Sequence, residues 1–128
     1  MSNQIVLTTG IYDVVKDYVR RKRVSINEEN RLIEELRDAK QVLRRDLPED
    51  VVTVERKVTI KDHTLNEEQE YIFVPTSIKP KPRKNKYSIL SNMALATVGM
   101  PVGSVIEWPF PEGEKKIEIL KVEPFEQL

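Results

Sequence analysis

Acidic residues between two predicted helices are the first candidates for chemistry in this sequence. Glu28, Glu29 and Asn30 stand together there, and carboxylate oxygens are ligands that Mg²⁺ prefers. Four cations precede them, at Arg20, Arg21, Lys22 and Arg23. Neighbouring positive charge opposes the binding of a metal ion. Because Ser25 followed by Glu28 is also a capping box, we favour a structural role for Glu28 over a metal-binding one.

Two basic clusters are candidates for binding. The first, Arg20 to Arg23, ends a helix, where cations interact favourably with the helix dipole. It could also contact nucleic-acid phosphate or an acidic protein surface. The second lies in a proline-containing loop and consists of Lys79, Lys81, Arg83, Lys84 and Lys86. We favour a flexible loop here, with a phosphate- or partner-binding loop as the alternative.

Other catalytic patterns are missing from the sequence. It contains no cysteine and a single histidine, His63, so a thiolate or a zinc site is not expected. There is no glycine-rich phosphate loop and no nucleophile elbow. Ser91 is better explained as a helix cap than as a nucleophile. We therefore predict a protein that is not an enzyme, with no catalytic residue, metal or cofactor.

Composition restricts the class of protein further. Of the 128 residues, 39% are apolar and 33% are charged, and 21 cations balance 21 anions. A net charge of zero gives no overall attraction to nucleic acid or to an anionic membrane. No apolar run reaches the ~20 residues of a membrane-spanning helix, and the N-terminus does not resemble a signal peptide. These features favour a cytoplasmic protein without a membrane partner.

Residues 1–47 are predicted to form an antiparallel helical hairpin. Thr8 or Thr9 caps the first helix, whose apolar face is formed by Ile11, Val14, Val15, Tyr18 and Val19. The second helix runs from Ser25 to about Arg45, for roughly 30 Å. Its spacing is that of a short coiled coil, with the seam Leu32, Leu36, Ala39 and Leu43. Pro48 stops this helix. The two helices are connected near residues 23–27, at the tip of the hairpin.

Residues 48–128 are predicted to form a mostly antiparallel β-sheet with one short helix, so the chain is α+β. Alternating apolar residues indicate strands over residues 52–60, 68–74, 87–90, 105–108 and 115–122. The short helix spans Met93 to Val98, and Gly99 ends it.

Four segments of this second part resemble a known family. They are Leu47 to Thr53; Val58 to Asp62 with Glu67, Glu68 and Tyr71 to Val74; the spaced set Ser91, Ala96, Gly99, Val102 and Gly103; and Trp108. Together they resemble the C-terminal domain of the bacterial Gre transcript-cleavage factors, and more closely the Rnk family. The resemblance implies an FKBP-like fold for residues 50–125 after a helical hairpin. It also implies RNA polymerase as the partner, with the hairpin directed at the secondary channel.

The resemblance also suggests where a partner would dock and where the chain departs from the family. Docking is expected through residues 93–103 and nearby strands, with Ser91, Met93, Gly99, Val102 and Gly103 as candidates. Asn92, Ala94 and Ser104 replace the usual Pro, Gly and Asp, although Gly103 keeps the turn conformation available. Ile26 stands where the Gre tip carries an aspartate. We therefore predict no stimulation of transcript cleavage.

The leading hypothesis is a non-catalytic transcription regulator that binds near the secondary channel and competes with Gre factors. The alternative is a protein-interaction or dimerisation module that acts outside transcription. In that alternative the apolar face of the first helix pairs with a second copy. An active cleavage factor is the third and least favoured hypothesis, and prolyl isomerase activity is not expected.

Overall fold

The computed structural model describes residues 4–125 and has the predicted α+β architecture. Its helices are α1 (Thr9–Arg20), α2 (Ile26–Asp38) and α3 (Asn92–Thr97). Its strands are β1 (Val6–Thr8), β2 (Lys40–Val42), β3 (Arg56–Asp62), β4 (Glu67–Val74), β5 (Lys86–Ser88), β6 (Val105–Phe110) and β7 (Gly113–Pro124). Within this range no helix is both long and apolar enough to cross a membrane.

The N-terminal helices begin at the capping residues that the sequence indicates. The Thr8 hydroxyl accepts a hydrogen bond from the amide of Ile11, and the Ser25 hydroxyl accepts one from the amide of Glu28. Each bond satisfies one of the backbone donors left free in a first helical turn. Apolar residues at helical spacing are buried on both helices, namely Ile11, Val15 and Val19 of α1 and Leu32 and Leu36 of α2.

Helix α2 is shorter than the sequence predicted. It ends at Asp38, so its 13 residues span about 20 Å instead of 30 Å. Residues 40–42 leave the helix and pair in parallel with β1, and the amide of Lys40 donates to the Ile5 carbonyl at 2.9 Å. The coiled-coil seam therefore stops at Leu36. Leu43, which was expected to lie in the seam, is 56% exposed.

Five strands form the main sheet, in the order β5-β4-β3-β7-β6. β5 pairs in parallel with β4, and the other three pairs are antiparallel. The first predicted strand was placed too early, since β3 begins at Arg56 and not at Val52. Val52 is nevertheless fully buried, and its backbone is hydrogen-bonded there, since its amide donates to the Met100 carbonyl and its carbonyl accepts from the Gly99 amide.

One hydrophobic core joins the helices to the sheet. Its buried side chains include Val15 and Val19 from α1, Leu32 from α2 and Trp108 and Ile117 from the sheet. The apolar faces of the helices are thus covered within the chain, which is the usual source of helix stability in proteins. The helical pair therefore packs on the sheet domain.

Candidate interaction sites at the helical tip and on the sheet domain

Residues 20–29, here called the tip, comprise the end of α1, the connection to α2 and the first turn of α2, and they carry the first basic cluster. Arg20 Nη2 and Arg21 Nε each lie 2.9 Å from a carboxylate oxygen of Asp17, one helical turn earlier. Lys22 forms an ion pair with Glu29 on α2. Arg23 is exposed and has no ion pair with any acidic residue between positions 4 and 125. Three of the four predicted tip cations are therefore partly neutralised by neighbouring carboxylates.

Glu28 is buried at the contact between α2 and β6. Only 3% of the residue is exposed, and its Oε2 accepts a hydrogen bond of 3.0 Å from Nε1 of the fully buried Trp108. Its Oε1 accepts a second bond of 3.3 Å from the Ser25 hydroxyl. The guanidinium of Arg31 lies 5.2 Å from the centroid of the Trp108 ring. Glu28 thus holds the helical pair against the sheet, which agrees with the structural role favoured from the sequence.

The tip offers few free carboxylates for a metal ion. Glu28 already accepts two hydrogen bonds, and Glu29 is half-buried beside the ammonium group of Lys22. Ile26, at the start of α2, is 72% exposed, but its apolar side chain has no oxygen to bind a metal ion. No group of three or more potential metal-binding side chains is found in the part of the chain that the structure describes.

The candidate docking residues around α3 do not all reach the surface. Ser91 caps α3, since its hydroxyl accepts from the amide of Ala94, and Met93 is half-buried one turn into the helix. Val102 is 40% exposed, and Gly103 beside it is exposed as well. With Val105, which is 52% exposed, these residues form a small apolar surface at the start of β6.

Gly99 lies inside the protein, beneath β1. Its φ of +82° is a conformation that L side chains rarely adopt. A Cβ atom at this position would lie 2.9 Å from side-chain atoms of both Ile5 and Leu7. The Gly99 carbonyl also accepts a hydrogen bond from the amide of Val6. Gly99 therefore allows β1 to pack closely on the sheet domain and is not exposed to a partner.

The second basic cluster is built on a defined turn. Pro82–Lys84 form a single turn of 3₁₀-helix, and Asn85 follows in the left-handed conformation. The turn is closed by two backbone bonds, from the Lys81 amide to the Lys86 carbonyl and from the Lys86 amide to the Lys81 carbonyl. Lys79, Lys81, Arg83 and Lys84 are exposed, whereas Lys86 is only 9% exposed.

Comparison with known proteins identifies the family. Residues 47–124 match the family model described as "Transcription elongation factor, GreA/GreB, C-term". The chain belongs to the GreA/GreB family. The resemblance to Gre factors that the sequence motifs indicated is thereby confirmed.

Individual relatives of this Gre-family protein extend the match beyond that range. Transcription elongation factor GreA of Clostridium botulinum strain Langeland is 34% identical over 122 residues, which span 93% of this chain and 76% of the relative. GreA of Clostridium beijerinckii is equally similar. The structure of a GreA/GreB factor from Nitrosomonas europaea has 24% identity and a TM-score of 0.66, over 95% of this chain and 99% of the other. That likeness supports the fold of the whole described chain, including the helical pair.

Burial shifts the pKa of several ionisable groups of this Gre-family protein, among them Glu35 and Tyr71. Burial raises the pKa of Glu35, on α2, from 4.5 to about 7, although the charge of Arg31 opposes the shift. Burial, with smaller contributions from Tyr87 and Asp62, raises the pKa of Tyr71 to about 12. Tyr71 lines a cleft of about 340 Å³ beside α3, together with Met93. At neutral pH the Tyr71 hydroxyl keeps its proton, so it can donate a hydrogen bond but is a poor base.

Proposed function

We propose that this chain is a transcription regulator that binds RNA polymerase near its secondary channel, without enzymatic activity of its own. It does not stimulate transcript cleavage, and it competes for the polymerase with Gre factors that do. Membership of the GreA/GreB family supports the transcriptional role. The fold, with its helical pair joined to a sheet domain, supports a related mode of docking.

One observation carries the non-cleaving part of this proposal, namely the engagement of both tip carboxylates. Metal-assisted cleavage needs carboxylate oxygens that can reach a metal ion from the end of the hairpin. Here the Glu28 carboxylate faces Trp108 inside the protein, and Glu29 is paired with Lys22. The short α2 also limits how far the tip extends from the sheet domain.

The exposed apolar surface at Val102, Gly103 and Val105 is the proposed docking contact on the polymerase. It lies on the sheet domain, within the range that matches the family model. Burying the exposed side chains of Val102 and Val105 against a partner would remove apolar surface from water, which is favourable.

A binding measurement with purified RNA polymerase tests the docking contact. We expect the wild-type chain to bind, and Val102→Glu to weaken binding by at least about tenfold, because a buried, unpaired carboxylate is unfavourable in an interface. Leu43→Glu is the matched control, since Leu43 is also an exposed apolar residue, outside the docking surface. Equal binding by the two variants would refute the docking surface. Absence of wild-type binding would refute the polymerase assignment itself.

The alternative of a dimerisation module finds little support in the packing. It required the apolar face of the first helix to pair with a second copy. Ile11, Val15 and Val19 on that face are buried within the chain. A second copy could reach them only if α1 left the core.

A further inference from the structure

The two basic clusters of the chain differ in how far their charges are neutralised. At the tip, Arg20 and Arg21 share Asp17, and Lys22 pairs with Glu29. By contrast, Lys79, Lys81, Arg83 and Lys84, here called the basic turn, form no ion pair with an acidic residue anywhere in residues 4–125. A cation without a neighbouring carboxylate attracts an anionic ligand more strongly than a cation that is already ion-paired. The basic turn is therefore the better candidate for binding an anion.

The backbone of the basic turn is ordered before any ligand binds. Its two cross-turn hydrogen bonds measure 2.8 and 3.1 Å, and the amide of Lys84 also donates to the Lys81 carbonyl at 2.8 Å. Proline at the start of the 3₁₀ turn further restricts the chain. Less conformational entropy is therefore lost when these side chains bind than in a flexible loop.

A shallow cavity of about 460 Å³ adjoins the basic turn. Lys84, Lys86 and Lys57 contribute to its lining, and the single carboxylate in the lining, that of Glu70, lies 3.2 Å from Lys57. Phe125 lies on the same cavity, with its ring centroid 6.0 Å from the Lys86 ammonium nitrogen. The cavity thus combines excess positive charge with one aromatic ring.

From this arrangement we infer that the basic turn and the adjoining cavity bind the phosphate backbone of single-stranded nucleic acid. Four cations over six residues match a repeating chain of phosphates better than one isolated phosphate. An unpaired base can stack on the Phe125 ring, and a duplex has no unpaired base to place there. The inference goes beyond polymerase docking, and it does not depend on it.

The test measures binding of a fluorescently labelled single-stranded RNA or DNA to the purified chain, without polymerase, by anisotropy at several salt concentrations. With four phosphate contacts, affinity should fall about 50-fold between 50 and 200 mM salt. For Lys81→Gln/Arg83→Gln/Lys84→Gln, which keeps one contact, the fall should be about threefold. Phe125→Leu should weaken binding about tenfold, because it removes the ring on which a base stacks, and an unchanged affinity would overturn the stacking contact.

Two further variants control for net charge and for the location of the site. Lys40→Gln/Arg45→Gln/Lys121→Gln removes the same three charges from dispersed exposed positions, and binding should change less than about twofold. Loss of binding in Arg20→Gln/Arg21→Gln/Lys22→Gln but not in the basic-turn variant would overturn the inference, because the tip would then be the site.

Competitor ligands decide what class of anion the basic turn recognises. Polyglutamate of equal charge should displace the oligonucleotide poorly. Displacement as effective as that by unlabelled nucleic acid would overturn the inference in favour of an acidic protein surface. Equal affinity for duplex DNA would overturn the assignment to single strands, and no binding at 50 mM salt would overturn the site altogether. None of these results bears on polymerase docking, which is measured separately.

Discussion

The hydrogen bond between Trp108 and Glu28 should stabilise the contact between the helical pair and the sheet. The Nε1–Oε2 distance is 3.0 Å, and both side chains are almost completely buried. A hydrogen bond to a charged group contributes about 1.5–3 kcal/mol. Trp108→Phe removes this bond. It also reduces the buried aromatic surface, which should cost about 1–2 kcal/mol of stability. We therefore expect that substitution to lower the free energy of unfolding by about 2.5–5 kcal/mol in total.

Substitutions of Glu28 separate the hydrogen bond from its charge. Glu28→Gln keeps an acceptor for Trp108 and avoids burying a carboxylate, so its effect should be no more than about 1 kcal/mol. Glu28→Ala leaves the indole N–H without its partner, which should cost about 1–3 kcal/mol. Glu29→Ala is the control, because the Glu29 pair involves a lysine that is 74% exposed and should contribute less than about 1 kcal/mol.

A double-mutant cycle gives the decisive number. Unfolding of wild type, Glu28→Ala, Trp108→Phe and the double variant by guanidinium chloride is followed by circular dichroism, since Trp108 is the single tryptophan and fluorescence would be lost with it. We expect a coupling energy of about 1.5–3 kcal/mol. Additive effects, with coupling below about 0.5 kcal/mol, would refute the view that this bond stabilises the contact between the helices and the sheet.

Two more predictions concern stability. Because burial raises the pKa of Glu35 from 4.5 to about 7, the contribution of Glu35 to stability should be most favourable below pH 4.5 and should decrease by up to about 3 kcal/mol as the pH rises to 7. Urea unfolding of wild type and Glu35→Gln at pH 4.5 and 8 measures this decrease. It should be absent from the variant, and an equal pH dependence in the two proteins would contradict the prediction. Gly99→Ala should destabilise by about 2–4 kcal/mol, because its Cβ would collide with Ile5 and Leu7. Gly103 also has a positive φ, but an added Cβ would meet no atom within 4 Å, so Gly103→Ala should destabilise by only about 1 kcal/mol. Equal decreases of the melting temperature in the two variants would rule out the collision at Gly99.

Local patterns in the sequence predicted much of the N-terminal architecture. The caps Thr8 and Ser25 and the buried face of α1 follow from interactions within a few residues of one another. The end of α2 could not be predicted in this way. It depends on the pairing of residues 40–42 with β1, more than thirty residues earlier, and such a contact leaves no periodic signal in the sequence.

The candidate sites show the same division between local and distant contacts. The capping-box spacing between Ser25 and Glu28 correctly suggested a structural role for Glu28. Its main partner, Trp108, is however 80 residues away in the sequence. The basic turn was expected to be flexible, because lysine and proline content does not reveal the cross-turn bonds between Lys81 and Lys86. The burial of Gly99 likewise arises from its contact with β1, which the sequence did not indicate.

Transcript cleavage in stalled elongation complexes tests the proposed function most directly. In the absence of a Gre factor, this protein should not raise the rate of transcript cleavage above that of polymerase alone. In excess, it should reduce the cleavage stimulated by a GreA factor, and Val102→Glu should reduce it much less. Stimulation of cleavage by this protein, abolished by Glu29→Ala, would contradict the account, because it would show that the tip presents a carboxylate to the catalytic metal despite the pairing with Lys22.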